Sequence, residues 1–118
     1  MDLYSERVLD YFKNPRNKEK MDSPTKMGNE CNPLCGDKLT IFLRLNDDNI
    51  IEKATFDGTG CAISQAGASM LTEKITGMSL KEAQSLTDED MLELLGIEVS
   101  AGRLKCALIS IRTLKNIN

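Results

Sequence analysis

The hydrophobic period of this chain changes from that of strands to that of helices at the glycine-rich segment Gly58–Gly60, and that change limits the folds it can adopt. Before the glycines, apolar and polar side chains alternate in Leu39–Leu45 and again in Ile50–Asp57, on either side of the turn sequence Asn46–Asn49. Alternation with period two is typical of a strand with one buried face. The two segments therefore predict an antiparallel hairpin with a four-residue turn, and the pattern puts Ile50 on an apolar face.

Most of the chain outside this hairpin has the spacing of helices, with apolar residues recurring every three or four positions. This spacing and its stop signals predict helices at about 3–13, 62–77, 79–86, 88–95 and 102–116. A weaker signal around Lys26–Met27 adds a third strand, within a segment 14–34 that otherwise reads as irregular. A hairpin followed by helices predicts an α+β fold, with helices packed on a small antiparallel three-stranded sheet. The length of 118 residues suits a single domain, 1–118.

Two short helices should begin at residues whose side chains cap them. Ser79 stands three positions before Glu82, which is the spacing of a capping box. Thr87 stands three positions before Asp90 and forms a near match. We therefore expect a complete capping box at Ser79 and a looser arrangement at Thr87.

The composition excludes several classes of function. The chain has no histidine, so it cannot build a Ser-His-Asp triad or an HExxH zinc site. Its 18 acidic residues outnumber 15 basic residues, and aromatic residues are only 4%, which argues against binding to nucleic acid. No apolar run approaches the roughly 20 residues of a membrane helix, and the N-terminus does not resemble a secretory signal. We therefore expect a cytoplasmic protein that binds no membrane.

Three of the four cysteines lie at structurally special positions. Cys35 is in a tight loop before the first hairpin strand, Cys61 starts the helix that follows the glycines, and Cys106 lies near the first turn of the last helix. A helix N-terminus favours an anion, and the thiolate is the form of cysteine that binds metals. In a reducing cytosol, four cysteines favour metal or sulfur chemistry over disulfides.

A carboxylate accompanies these thiols, because Asp37 follows Cys35 by two residues. Three thiolates and one carboxylate would form a four-ligand set, and the neighbouring glycines would leave room beside the sulfur atoms. Structural zinc sites are normally closed by sulfur or nitrogen and iron–sulfur sites by four thiolates, so one oxygen ligand should make this site labile. Taken singly, each cysteine could instead be a small buried hydrophobe, Cys31 a loop thiol without a role, and Asp37 a turn-satisfying carboxylate.

Four segments of the chain carry the motifs of one family. They are residues 3–17 (LYSERVLDYFKNPRN), 35–37 (CGD), 56–64 (FDGTGCAIS) and 105–107 (KCA). Together they resemble the IscU/SufU family, also called the NifU N-terminal domain family. The resemblance covers nearly the whole chain, and three cysteine motifs in the same order make it specific. It implies a SufE/NifU-like fold.

The resemblance implies a scaffold for iron–sulfur cluster assembly rather than an enzyme. Such proteins receive sulfur as persulfide from a cysteine desulfurase, gather iron, build a [2Fe–2S] cluster and pass it to apo iron–sulfur recipient proteins. Members often bind zinc at the same site. Matched residue by residue, Cys35, Asp37, Cys61 and Cys106 correspond to the ligand positions, and Cys106 corresponds to the first sulfur acceptor of the IscU branch.

Two departures from the family pattern keep more than one mechanism open. IscU-type members have a histidine just before the last cysteine, whereas this chain has Lys105 at that position. In lacking the histidine, the chain is similar to SufU-type members. SufU-type members carry an extra segment between the second and third cysteines, which this chain lacks. The alternative is therefore a zinc-dependent, SufU-like sulfur acceptor, and a third reading is a structural zinc module. Lys105 and Cys31 are further candidate ligands, and a homodimer on cluster binding is a further possible state.

Overall fold

A three-stranded antiparallel sheet forms one layer of the protein. The computed structural model describes residues 5–32 and 36–118. Strand β1 comprises Lys26–Asn32, β2 comprises Asp37–Leu45 and β3 comprises Ile51–Thr59, in the spatial order β1-β2-β3. The predicted hairpin and the predicted third strand are therefore confirmed, except that five residues, 46–50, connect β2 to β3 instead of the predicted four. The third strand is longer than its sequence signal and includes Cys31, so the segment 14–34 is irregular only in part.

The hairpin contains a bulge that the alternation pattern did not reveal. The register between β2 and β3 shifts after Arg44, so that Leu45 pairs with Ile51 instead of with Glu52. Such a bulge sets one extra residue against the partner strand and changes which side chains face inward. Ile51 is consequently fully buried while Ile50 is only half-buried. The prediction that Ile50 belongs to the apolar face was wrong for this reason.

Five helices and one 3₁₀ turn occupy the described residues outside the sheet. They are α1 (Glu6–Lys13), α2 (Ala62–Ile75), α3 (Leu80–Gln84), α4 (Asp88–Leu95), the turn Ala101–Arg103 and α5 (Leu104–Lys115). The order of sheet and helices confirms the α+β class predicted from the sequence. Among the described residues, none of the helices combines the length and the apolar character that crossing a bilayer would need.

The capping of the two short helices is the reverse of the expectation. Thr87 Oγ1 accepts a hydrogen bond from the Asp90 N–H, and Asp90 Oδ2 accepts one from the Thr87 N–H at 2.8 Å, which completes the capping box. At Ser79 the structure gives the hydroxyl accepting from the Glu82 N–H, without the reciprocal bond. The hydrogen bond from the Thr87 N–H and, to a smaller extent, the one with the Thr87 hydroxyl lower the pKa of Asp90 below its ordinary value.

The hydrophobic core lies between one face of the sheet and the helices. Leu39, Ile41 and Leu43 of β2 are all buried, and α2 and α5 both pack on this sheet. Helix α2 is buried over most of its circumference. A side chain at Gly67 would lie 3.2 Å from Met91 Cε of α4, so the lack of a side chain at this position lets α2 and α4 pack closely. Phe12 of α1 lies four positions after the buried Val8 but is 41% exposed.

Candidate metal centre

The start of α2 fixes the first candidate ligand. Cys61 is the N-cap residue of α2, has an extended backbone, and makes no capping hydrogen bond with its side chain. Its thiol is therefore not used to begin the helix. The Ser64 hydroxyl, one turn into α2, donates a hydrogen bond to the Cys61 carbonyl at 2.9 Å and supports this turn instead. The sequence interpretation missed Ser64, although a hydroxyl three residues after a helix start was a usable signal.

The carboxylate of Asp37 is buried and only half satisfied. Asp37 is the first residue of β2 and is 1% exposed. Its Oδ1 accepts a hydrogen bond from the Cys61 N–H at 3.1 Å, whereas Oδ2 has no hydrogen-bond partner among the residues that the structure describes. A buried carboxylate oxygen without a partner is costly. This arrangement suits a cation at Oδ2, because a cation would supply the missing interaction.

Three ligand atoms converge at this end of the sheet. One carboxylate oxygen of Asp37 and the sulfur atoms of Cys61 and Cys106 all lie within 4.8 Å of one another. Ligands that share one zinc ion lie about 2.0–2.3 Å from it, so two of them are at most about 4.6 Å apart. Small side-chain rotations would thus bring all three onto one metal. Cys106 is 2% exposed and is the third residue of α5, so the site is formed where β2 begins and where α2 and α5 begin.

The site depends on the absence of a side chain at Gly60. A Cβ atom there would lie 2.4 Å from Asp37 Oδ1 and 2.5 Å from Ser64 Oγ. Both of these groups are buried, so neither can turn away into solvent. Gly60 therefore lets the carboxylate lie against the first turn of α2.

The remaining predicted ligands are placed differently. Cys35 lies outside the described residues, and its role stays a prediction. Cys31 pairs across the sheet with Lys38, while its neighbour Asn32 pairs with Asp37. Because successive residues of a strand point to opposite faces, Cys31 and Asp37 belong to opposite faces. Cys31 is exposed and does not belong to the group of converging ligand atoms.

Lys105, the last candidate ligand, is an exposed residue of α5 immediately before Cys106. It lines a hollow between β1 and α5 together with Arg112. The structure gives no contact between its ammonium group and Asp37 or Cys61. Its part in metal binding remains a prediction.

Comparison with known proteins connects this geometry to one family. The sequence pattern described as the NifU-like N terminal domain matches residues 3–116. The iron–sulfur cluster assembly scaffold protein IscU 1 of Archaeoglobus fulgidus is 40% identical over 94 residues, which are 80% of this chain and 61% of that protein. The zinc-dependent sulfurtransferase SufU of Bacillus subtilis is 35% identical over an alignment that covers 96% of this chain and 87% of that protein.

A solved structure gives the same result for the fold. An iron–sulfur cluster assembly scaffold protein for the SUF system, from Fervidobacterium islandicum, superimposes with a TM-score of 0.78 at 30% identity, over 96% of this chain and 94% of that one. The family pattern extends over nearly all of the sequence, and the relatives match most of it. This chain belongs to the NifU-like N-terminal domain family.

Proposed function

We propose that this protein is a scaffold on which an iron–sulfur cluster is assembled and then handed to other proteins. The observation that carries the proposal is the buried Asp37 carboxylate, which has one oxygen without a hydrogen-bond partner among the described residues and lies beside the sulfur atoms of Cys61 and Cys106. Thiolate is the usual ligand of iron in clusters. With Cys35 as the third thiolate, these residues would hold a [2Fe–2S] cluster. The names of its relatives support the same assignment.

Sulfur delivery is assigned to a cysteine desulfurase, with Cys106 as the acceptor. The Cys106 thiolate attacks the outer sulfur of the desulfurase persulfide, the S–S bond of the desulfurase breaks, and its cysteine leaves as a thiolate. Atoms and electrons balance in this exchange without an added oxidant. Cys106 is suited to the role because it lies in the first turn of α5, where the helix N-terminus favours the anionic form of an attacking thiol.

The direct test is anaerobic reconstitution with iron, inorganic sulfide and a cysteine desulfurase, followed by absorption and Mössbauer spectra and a metal count. We expect a bound [2Fe–2S] cluster on the parent protein and loss of that cluster in Cys35→Ser, Cys61→Ser and Cys106→Ser. Cys31→Ser is the matched control, since Cys31 lies on the opposite face of the sheet, and it should retain the cluster. A parent protein that binds no iron or sulfide would contradict the scaffold assignment.

Asp37 should set how long the cluster stays on the scaffold. A carboxylate is a harder and weaker ligand for iron than a thiolate, so its dissociation opens the position through which a recipient thiolate enters. Asp37→Ala removes this exchangeable ligand, and we expect a cluster that persists longer and transfers severalfold more slowly. The measurement is the decay of cluster absorption with and without an apo-ferredoxin. Asp57→Ala on β3 is the control, and faster cluster loss from Asp37→Ala would refute the role given to the carboxylate.

A second candidate function is zinc-dependent sulfur transfer. It is favoured by the similarity to the sulfurtransferase SufU over 96% of this chain and by Lys105 in place of a histidine. In that case Asp37 and the cysteines would hold zinc, and the protein would accelerate a desulfurase without carrying a cluster. Stoichiometric zinc that iron cannot displace, together with strong stimulation of the desulfurase, would select this function over the scaffold.

A further inference from the structure

A hollow beside the thiol site carries positive charge that the assembly chemistry does not require. It lies between the end of β1 and α5, and it is lined by Glu30, Cys31, Asn32, Lys105, Ile109 and Arg112. Lys105, Ile109 and Arg112 are three and four residues apart on α5, so they form one stripe along that helix. The hollow therefore runs along α5 away from Cys106.

The two cations of the hollow are not neutralised within the described part of the chain. Lys105 and Arg112 are exposed, and the structure gives neither of them an ion pair there. Glu30, the acidic residue of the lining, accepts a hydrogen bond from the side-chain amide of Asn116. The hollow thus has an excess of positive charge, although the whole chain has a net charge of −3. An acidic group is the complementary ligand.

Apolar surface accompanies this charge. Ile109 is buried beneath the hollow, whereas Leu104, the residue before Lys105, is 38% exposed. Leu104 does not line the hollow itself, but an apolar side chain of a protein segment could cover it while a carboxylate of the same segment pairs with the cations. The combination fits a short protein segment that presents carboxylates together with an apolar side chain.

The position of the hollow indicates which protein would supply such a segment. Lys105 is adjacent in sequence to Cys106, so a segment bound along the stripe ends beside the thiols. We propose that this hollow docks an acidic segment of the protein that delivers sulfur to the site. The proposal rests on the proposed function, because it assigns a docking surface to the sulfur donor.

The test variant is Arg112→Glu, because Arg112 lies far from the ligand residues along α5. The matched control is Lys115→Glu on the same helix, since Lys115 is exposed and its charge acts on Asp90 of α4 instead. The probe is a cysteine desulfurase, and the Kd is measured by isothermal titration at 50 and 300 mM NaCl. We expect the reversed charge at residue 112 to weaken binding about tenfold at the low salt concentration, and Lys115→Glu to leave it within about twofold.

Two further measurements distinguish the docking site from the scaffold function: the salt dependence of desulfurase binding, and cluster assembly from inorganic sulfide. High salt should weaken binding of the parent protein more than that of Arg112→Glu, because the variant has already lost the attraction. Both variants should assemble a cluster from iron and inorganic sulfide as the parent does, since that reaction needs no donor protein. A parent protein that fails this sulfide reaction would refute the proposed function itself. Equal Kd values for parent and Arg112→Glu would refute only the docking site.

A second copy of the chain is the competing occupant. Analytical ultracentrifugation of the parent protein and the variants without the desulfurase shows whether a second copy of the chain occupies the hollow. A monomer in all variants agrees with the proposal. A parent dimer that Arg112→Glu dissociates would overturn it.

Discussion

Gly60→Ala should weaken metal binding strongly while leaving the protein folded. The new methyl group would lie 2.4 Å from Asp37 Oδ1 and 2.5 Å from Ser64 Oγ, so the carboxylate must leave its position and give up its hydrogen bond from the Cys61 N–H. Loss of ligand orientation of this kind typically lowers metal affinity by 10–100-fold. Because Asp37 is itself a candidate ligand, we expect about 100-fold weaker zinc binding, measured anaerobically by competition with a chromophoric chelator.

Gly102→Ala provides the control for that experiment. Gly102 lies in the 3₁₀ turn before α5, and a Cβ atom there meets no atom within 4 Å. Its zinc affinity should equal that of the parent protein. Circular dichroism should show the same helix content in both variants. Unchanged zinc affinity in Gly60→Ala would show that Asp37 is not part of the metal site.

Gly58→Ala should cause a large loss of stability. Gly58 pairs with Leu39 across the hairpin and has a φ of +152°, and a Cβ atom there would lie 2.0 Å from the Lys38 carbonyl oxygen and 3.0 Å from Leu39 Cα. Both are backbone atoms, so relief requires the strands to separate. We expect the free energy of unfolding to fall by at least about 3 kcal/mol, out of a typical total of about 5–15 kcal/mol. Urea unfolding followed by circular dichroism measures this change.

Gly77→Ala separates backbone strain from the steric clash. Gly77 has a φ of +97°, but the space around its Cα is open to 4 Å. Only the unfavourable φ therefore opposes an alanine at this position, and we expect the free energy of unfolding to fall by about 1 kcal/mol. If the two variants lose the same stability, the contact with β2 is not the cause of the effect at Gly58.

The hairpin and α2 could be predicted because their burial repeats along the sequence. Leu39, Ile41 and Leu43 face one core, and that one-sided burial creates the alternation from which β2 was identified. Strand β1 gives almost no such signal, since its sequence is KMGNECN. Its position depends on tertiary contacts, because a Cβ at Gly28 would lie 2.6 Å from Ile117 Cγ1, which means that the end of the chain packs closely on this strand. A close contact between residues so far apart in sequence cannot be predicted from a local sequence pattern.

Some features of the candidate site could also be predicted from the sequence, whereas others depend on tertiary contacts. Asp37, Cys61 and Cys106 could be selected from the sequence, because each stands where a strand or a helix begins, and the structure brings these three together. The hydrogen bond from the Cys61 N–H to one oxygen of Asp37 could not be foreseen, since it depends on how β2 meets α2. The position of Cys31 on the other face of the sheet from Asp37 likewise follows from the pleat of β1, which the weak strand signal did not reveal.

The half-satisfied carboxylate of Asp37 links occupancy of the site to folding. In the metal-free protein, the oxygen that has no hydrogen-bond partner among residues 5–32 and 36–118 opposes the folded state, and a bound cation would remove that penalty only in the folded state. Thermodynamic linkage then makes the stability of the domain rise with the logarithm of the free metal concentration once the site begins to fill. If the protein hands on a cargo as proposed, its release returns the protein to a less stable form, and local opening around β2 and α2 should then become more frequent after each delivery.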